Sequence, residues 1–176
     1  MTPGTYRRGG PGLTVAYGIV PSTLGRMLVA ATPQGLCAVR FADTTAELEQ
    51  GLREEFHAAT LVRDEAALRP YLDPLVAMLR GESVTVDLPL DIRGTAFQTK
   101  VWDALKRIPS GETRSYTDIA RAIGDPKAVR AVARACASNP VAVAVPCHRV
   151  VRSDGQLAGY RWGLARKKKL LQEEQR

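Results

Sequence analysis

Three short apolar runs open the chain. Residues 13–20 (LTVAYGIV), 26–31 (RMLVAA) and 36–41 (LCAVRF) are separated by Gly, Pro and Ser, the pattern of short strands joined by tight turns. Cys37 falls in the third run and reads as a small buried hydrophobe. The segment TTAELEQGLREEF then changes to helical spacing. Thr44 can cap it, and Glu47 three residues on completes a capping box. His57 closes that helix as a solvated or C-terminal capping side chain. A second helix is predicted over about 68–80, with Pro70 in its first turn and Pro74 blurring its start. SVTVDLPL (83–90) alternates like a strand. Strands mixed with helices predict an α/β domain over 13–90, preceded by a flexible Gly/Pro-rich lead-in over 1–12. No catalytic cluster stands out in it.

Residues 91–176 have a different character. Thr95 can cap a helix over about 96–107 that carries Phe97, Val101, Leu105 and Ile108 on one stripe. After the turn PSGE come two short helices, SYTDIARAIG and AVRAVARACASN, joined by the tight turn DPK. This is helix-turn-helix spacing, although αα-hairpins share it. At 100° per residue, Val129, Val132, Ala133 and Cys136 share one face of the second helix, a core stripe. Lys127, Arg130, Ala131, Arg134 and Ser138 share the other. Small residues between arginines suit close approach to a nucleic-acid groove; a solvated amphipathic helix is the plainer reading. Asn139-Pro140 ends the helix. VAVAV reads as a buried strand or extended segment, VVRSDGQLAGY as a hairpin turning at Asp154-Gly155, and LARKKKLLQEEQ as a closing helix. A helix-turn-helix followed by a hairpin resembles a winged helix.

Charge sharpens this division. Net charge is +7 over 176 residues. The first ninety residues carry 8 Lys/Arg and 10 Asp/Glu, whereas the remainder carries 17 and 8. A polyanion is the expected partner of the basic half. Three cysteines and two histidines without a C-x-x-C pair make neither a disulfide framework nor a metal site. Reduced thiols in a cytosolic protein are expected, with no signal peptide, membrane-length run, metal or cofactor.

The chemistry concentrates in Pro146-Cys147-His148-Arg149. Cys147 lacks the apolar neighbours of a packing residue and the partners of a metal ligand. As a nucleophile it needs help, because a thiol of ordinary pKa is only about 3% thiolate at pH 7. His148 can supply a base. Adjacent side chains of an extended chain point to opposite faces, however, so a water bridge or another backbone geometry is required.

NPVAVAVPCHRVVRSDGQLAGYRWGLARKKKLLQEE resembles the signature region of the O6-alkylguanine-DNA alkyltransferases, the methylated-DNA–protein-cysteine methyltransferases. The resemblance is dense over about 88–175 and outlined over 13–87. YRRGG before the first strand resembles the linker of the bifunctional adaptive-response members, so the chain reads as a stand-alone repair protein or as the second half of such a fusion. The resemblance implies a small ribonuclease-H-like α/β domain followed by a winged-helix-like DNA-binding domain. It implies one irreversible transfer of the alkyl group from O6-alkylguanine, and from O4-alkylthymine, in double-stranded DNA to Cys147. The chain would act as a monomer in the cytoplasm, associated with the nucleoid when bound to DNA.

By the same resemblance His148 activates the thiol through a water and Glu174 orients the histidine. On the closing helix Glu174 lies one turn beyond Leu170, beside the apolar stripe, and Glu173 falls farther out. Asn139 matches the asparagine bracing the turn before the active-site segment. Tyr116 contacts the extruded nucleotide and can donate a proton to guanine. Arg130 is the finger that fills the space left by the flipped base, with Lys127, Ala131, Arg134 and Ser115 also against DNA. Tyr160 walls the guanine pocket, the Cys147 and Val150 carbonyls accept from the guanine amino group, and Lys167 belongs to the site. Arg161 and Trp162 stand where some members carry small residues. Trp162 is expected to crowd the pocket mouth and to disfavour bulky O6 groups. Arg149 is left as structural or phosphate-facing. Two other readings compete: an alkyltransferase-like protein that binds lesions without repairing them, which the presence of Cys147 opposes, and a winged-helix transcription regulator.

Overall fold

The three opening runs form β1 (Thr14–Ser22), β2 (Gly25–Thr32) and β3 (Gly35–Ala42) in the computed structural model, which describes residues 1–176 except 83, 85 and 86. The strands pair antiparallel in sequence order. The next element is α2 (Thr45–Glu55), capped by Thr44, and it leads to β4 (Thr60–Arg63), which pairs parallel to β1. Sheet order is therefore β3-β2-β1-β4. Strand β2 is buried from Met27 to Thr32 without alternation, as expected of a strand covered on both faces. Leu28 and Ala30 pack with Leu48, Leu52 and Phe56. Helix α3 (Arg69–Leu79) buries Leu72, Leu75 and Leu79.

One expectation for this half needs revision. Residues 1–12 are not a free lead-in. They contain α1 (Pro3–Arg7), with Thr2 capping it and Pro3 at its first position. Tyr6 packs edge-on against Phe56 and donates to Glu55. The Gly/Pro-rich composition masked a capping signal and an aromatic anchor. The strand expected over 83–90 falls partly on residues 83, 85 and 86, outside the described residues. Of the rest, Leu90 makes one parallel bridge to Leu36.

The chain divides into two compact units, Met1–Arg93 and Gly94–Arg176. The second opens with α4 (Ala96–Leu105), whose Thr95–Gln98 capping box is fully formed. Next come β5 (Arg114–Ser115), α5 (Tyr116–Ala122) and α6 (Val129–Ala137), the last two making the helix-turn-helix. Gly124 sits in the turn at φ +83°, where a side chain would be strained. The buried face of α6 is Val132, Ala135 and Cys136, rotated from the expected stripe. Trp102 of α4 explains the rotation. Its indole N–H donates to the Ala135 carbonyl at 2.9 Å, and the small Ala135 lets α4 approach there. Val129 and Ala133 are left half-buried.

VAVAV does not run extended. Ala142 bridges to Val145, Val143 adopts φ +69°, and the chain turns back on itself. Asn139 causes this. Its amide oxygen accepts from Val141 N, and its amide nitrogen donates to the Val145 carbonyl at 2.8 Å. These bonds override the strand preference of valine. The expected hairpin is also absent as such. Strand β6 (Val150–Val151) pairs parallel with β5, and residues 152–156 close as a turn through Arg152 N to Gln156 O. A returning strand is not formed because the carbonyls of Ala158 and Gly159 are taken by side chains, Tyr116 and Lys167. Helix α7 (Leu164–Glu174) closes the unit. Among the described residues no helix is long and apolar enough to cross a membrane.

Replacing Trp102 by Phe keeps most of the buried ring but removes one of the two hydrogen bonds to the Ala135 carbonyl, which keeps the Ser138 hydroxyl at 3.0 Å. Urea unfolding is expected to show a loss of about 0.5–1.5 kcal/mol.

Candidate active site

Cys147, His148 and Arg149 occupy one turn of 3-10 helix, between the Asn139-braced loop and β6. This is the non-extended geometry that adjacent thiol and imidazole require. All three residues are buried. The Cys147 thiol is 3% exposed and its sulfur accepts from Asn139 Nδ2 at 3.2 Å. One asparagine therefore shapes the loop and holds the thiol.

His148 is fully buried, with Nε2 at 2.8 Å from Glu174 Oε1 near the end of α7. Burial alone would raise the pKa of Glu174, but hydrogen bonds from His148 and Arg149 bring it down to about 2. An ionised carboxylate only accepts, so Nε2 carries the proton and Nδ1 keeps its lone pair. Among the described residues Nδ1 is buried with no hydrogen-bond partner. Burial holds the imidazole neutral by lowering its pKa, against the pull of Glu174. The product is a buried base with its free nitrogen fixed by a carboxylate, the logic of an activated nucleophile.

Arg149, left open by the sequence, completes the arrangement. Its Nε lies 3.1 Å from both Glu174 oxygens, one terminal nitrogen donates to Oε1 at 2.8 Å, and the other donates to the Ile108 carbonyl at 2.7 Å. It is buried on these partners, which fits the structural reading. A signal was available, since an arginine inside an apolar stretch needs a buried partner.

Burial raises the Cys147 pKa, opposed by the Asn139 hydrogen bond and the Lys167 charge. The resting thiol is protonated. Lys167 is fully buried and donates to the carbonyls of Val150, Ala158 and Gly159. Burial lowers its pKa, and the neighbouring cysteines oppose that shift. Tyr116 donates to Ala158 O at 2.7 Å; burial first, then Cys136 and Cys147, push its pKa to about 12. Tyr160 has a buried hydroxyl with no partner among the described residues, and burial raises its pKa.

A cavity of about 290 Å³ opens over Cys147. Tyr116 and Tyr160 line it, with Val129, Arg130, Ala133, Cys136 and Ala137 from α6, and with Arg152, Ala158 and Gly159. Cys136, taken as packing, is buried and also faces this cavity. Arg152 was missed by sequence reasoning, for which a lone arginine in a turn carries no signal. Trp162 is not on the lining. It is buried against Tyr160, ring centroids 5.4 Å apart at 70°, with the Arg161 guanidinium 5.4 Å over its ring. It fixes a wall of the cavity and does not crowd the mouth. Arg161 reaches the Asn139 carbonyl at 3.3 Å. Val150 and Lys167 also stand behind the lining. Arg130 and Arg134 are exposed on α6, Lys127 is exposed in the preceding turn, and Ala131 is half-buried. The Ser115 hydroxyl is the N-cap of α5 and accepts from Asp118 N.

Two family models cover nearly the whole chain. Residues 15–92 match the 6-O-methylguanine DNA methyltransferase ribonuclease-like domain, and residues 96–176 match its DNA binding domain. The chain belongs to the 6-O-methylguanine DNA methyltransferase family. Among similar members, the Escherichia coli "Bifunctional transcriptional activator/DNA repair enzyme Ada" is 49% identical over 174 residues, which are 99% of this chain and 49% of that protein. The chain thus spans about half the length of that relative. An inducible methylated-DNA–protein-cysteine methyltransferase of Bacillus subtilis is 42% identical over 149 residues, 84% of this chain and 83% of that one. The crystal structure of Mycobacterium tuberculosis OGT in complex with DNA superposes with a TM-score of 0.78 at 39% identity, covering 91% of this chain and 92% of that one. The two-domain methyltransferase fold expected from the resemblance is therefore present.

The Glu174 clamp predicts a pH signature. A carboxylate held near pKa 2, against about 4.5 when unfolded, adds stability above pH 4.5 that is lost as pH falls towards 2. Glu174→Gln should be less stable than the parent at neutral pH and should lose less additional stability between those limits. Parallel acid-loss slopes in denaturant titrations would contradict the clamp.

Proposed function

We propose that this chain repairs alkylated DNA by moving the alkyl group from guanine O6, and from thymine O4, onto Cys147 in a single irreversible turnover. The observation that carries the reading is the buried Cys147 thiol beneath a cavity walled by α6, beside a neutral His148 whose proton position is set by Glu174. The names of the relatives support it.

In the proposed reaction His148 accepts the thiol proton at Nδ1, directly or through a water. Cys147 Sγ then attacks the alkyl carbon in line, the carbon–O6 bond breaks, and its electron pair returns to the guanine. A proton from Tyr116 makes guanine a better leaving group. The thioether has no path of release, so the protein acts stoichiometrically. Guanine O6 is stacked within a duplex and Cys147 is buried, so the nucleotide must be extruded. Extrusion costs a few kcal/mol, least for a mispaired lesion. Exposed Arg130 at the cavity edge fills the vacated stack, while Arg134, Lys127, Ala131 and Ser115 lie along the DNA side. The carbonyls of Cys147 and Val150 receive the guanine amino group. The Val150 carbonyl already accepts from Lys167 and has a second lone pair to offer. Lys167 and Asn139 hold the pocket frame. The protein works as a cytoplasmic monomer without cofactor.

Incubation with a duplex bearing one O6-methylguanine should give an intact-mass gain of one methyl per chain, located on the Cys147 peptide. Cys147→Ala should show none; an unmethylated parent protein would overturn the reading. A rigid Tyr160 wall should also slow transfer from O6-benzylguanine relative to methyl. Trp162→Ala frees that wall and is expected to raise the benzyl-to-methyl rate ratio.

A further inference from the structure

We infer that Arg152 is a phosphate-binding residue of the cleft, held by Asp154 until a nucleotide enters. This rests on the reading of the chain as a DNA repair protein. Strand register places the residue. Ser115 pairs with Val151, so the next positions along the two parallel strands are Tyr116 and Arg152. Both line the cavity. The turn that carries Arg152 is fixed at four points: Arg152 N to Gln156 O, Gly155 N to Arg152 O, Gln156 N to Asp154 Oδ1 at 3.0 Å, and Thr117 Oγ1 to Ser153 Oγ at 3.2 Å. The last of these ties the turn to α5 beside Tyr116. The backbone under Arg152 is therefore set while its side chain is 56% exposed.

The partner it has now is easily exchanged. Asp154 faces it at 3.2 Å and is 46% exposed, and such an open ion pair contributes little. The cavity floor and walls are otherwise largely apolar or aromatic: Val129, Ala133, Ala137, Ala158 and Tyr160. A neutral base suits those walls and offers no anion to a guanidinium at the edge. The part of an entering nucleotide that stays outside is its phosphate, which matches the guanidinium fork in charge and geometry. Arg130 stands on the α6 side of the same cleft. The two arginines thus divide the work, one in the vacated stack and one on the backbone of the extruded residue.

The test is equilibrium binding of the full chain, with Cys147→Ala to prevent reaction, to a duplex bearing one O6-methylguanine. Arg152→Gln should weaken binding about tenfold and reduce the salt slope by about one, while Arg152→Lys should keep the slope. Asp154→Asn should tighten binding. Methylphosphonate substitution at the phosphates flanking the lesion separates a direct contact from a general loss of charge. At the contacted phosphate it should weaken the Cys147→Ala protein but cost the Arg152→Gln version nothing more. Unchanged affinity and slope in Arg152→Gln, or losses that multiply at both flanking phosphates, would overturn the assignment. Binding is read independently of methyl transfer, so a protein that fails to take the methyl group yet shows the Arg152 coupling would refute the repair reaction and leave the contact standing.

Discussion

A carboxylate buried at the end of the last helix organises the second half of this protein. Glu174 meets His148 on one oxygen and the Arg149 guanidinium on both. Removing an ion pair from water is costly, and the geometry offsets that cost only when the lone pairs are well filled. Here they are filled by residues of a single helical turn, and the same turn carries Cys147. Placing α7 against that turn therefore fixes three things together: the orientation of the imidazole, its tautomer, and the position of the thiol. Arg149 adds a tie to the end of α4 through the Ile108 carbonyl. Early and late parts of the unit converge on one carboxylate.

The resting site holds its thiol protonated. Burial keeps the Cys147 thiol protonated and His148 neutral, so the resting pair carries neither a thiolate nor an imidazolium. The nearby positive charge is Lys167, itself buried and satisfied by backbone carbonyls. It opposes the burial of a thiolate without pairing with it. Asn139 does the same by hydrogen bonding. A thiolate is thus favoured only when its proton is taken up as the sulfur reacts, which is what the proposed single-turnover transfer asks of it.

Much of this was legible in the chain, and the failures have a common cause. Strands, helices and the helix-turn-helix follow from periodicity and capping residues, because Thr44, Thr95 and Ser115 fix local starts that tertiary packing does not override. Cys147, His148 and Glu174 came from a motif and a helix face. VAVAV misled because valine preference is local, whereas the Asn139 side chain reaches across the loop to reshape it. The hairpin after Val151 misled similarly: Tyr116 and Lys167, remote in sequence, consume the carbonyls a second strand would need. Trp162 was placed at the mouth because it is bulky where some family members carry small residues, and only its ring packing against Tyr160 shows it to be a support. Where a side chain captures backbone groups far along the chain, pattern reading has no access.

Those same captures join recognition to chemistry. Helix α6 is a wall of the reaction cavity as well as the basic face of the helix-turn-helix, with Arg130 belonging to both. Its buried stripe is anchored to α4 through Ala135, and its C-terminal end leads into Asn139 and the thiol. A displacement of α6 by a bound duplex would therefore be felt at Asn139, two residues past the helix, and through it at Cys147. Separate binding and reacting elements would need a linker to pass that information. Here Asn139, just past α6, is also the hydrogen-bond donor to the Cys147 sulfur, so the end of that helix and the position of the thiol are set by the same few residues.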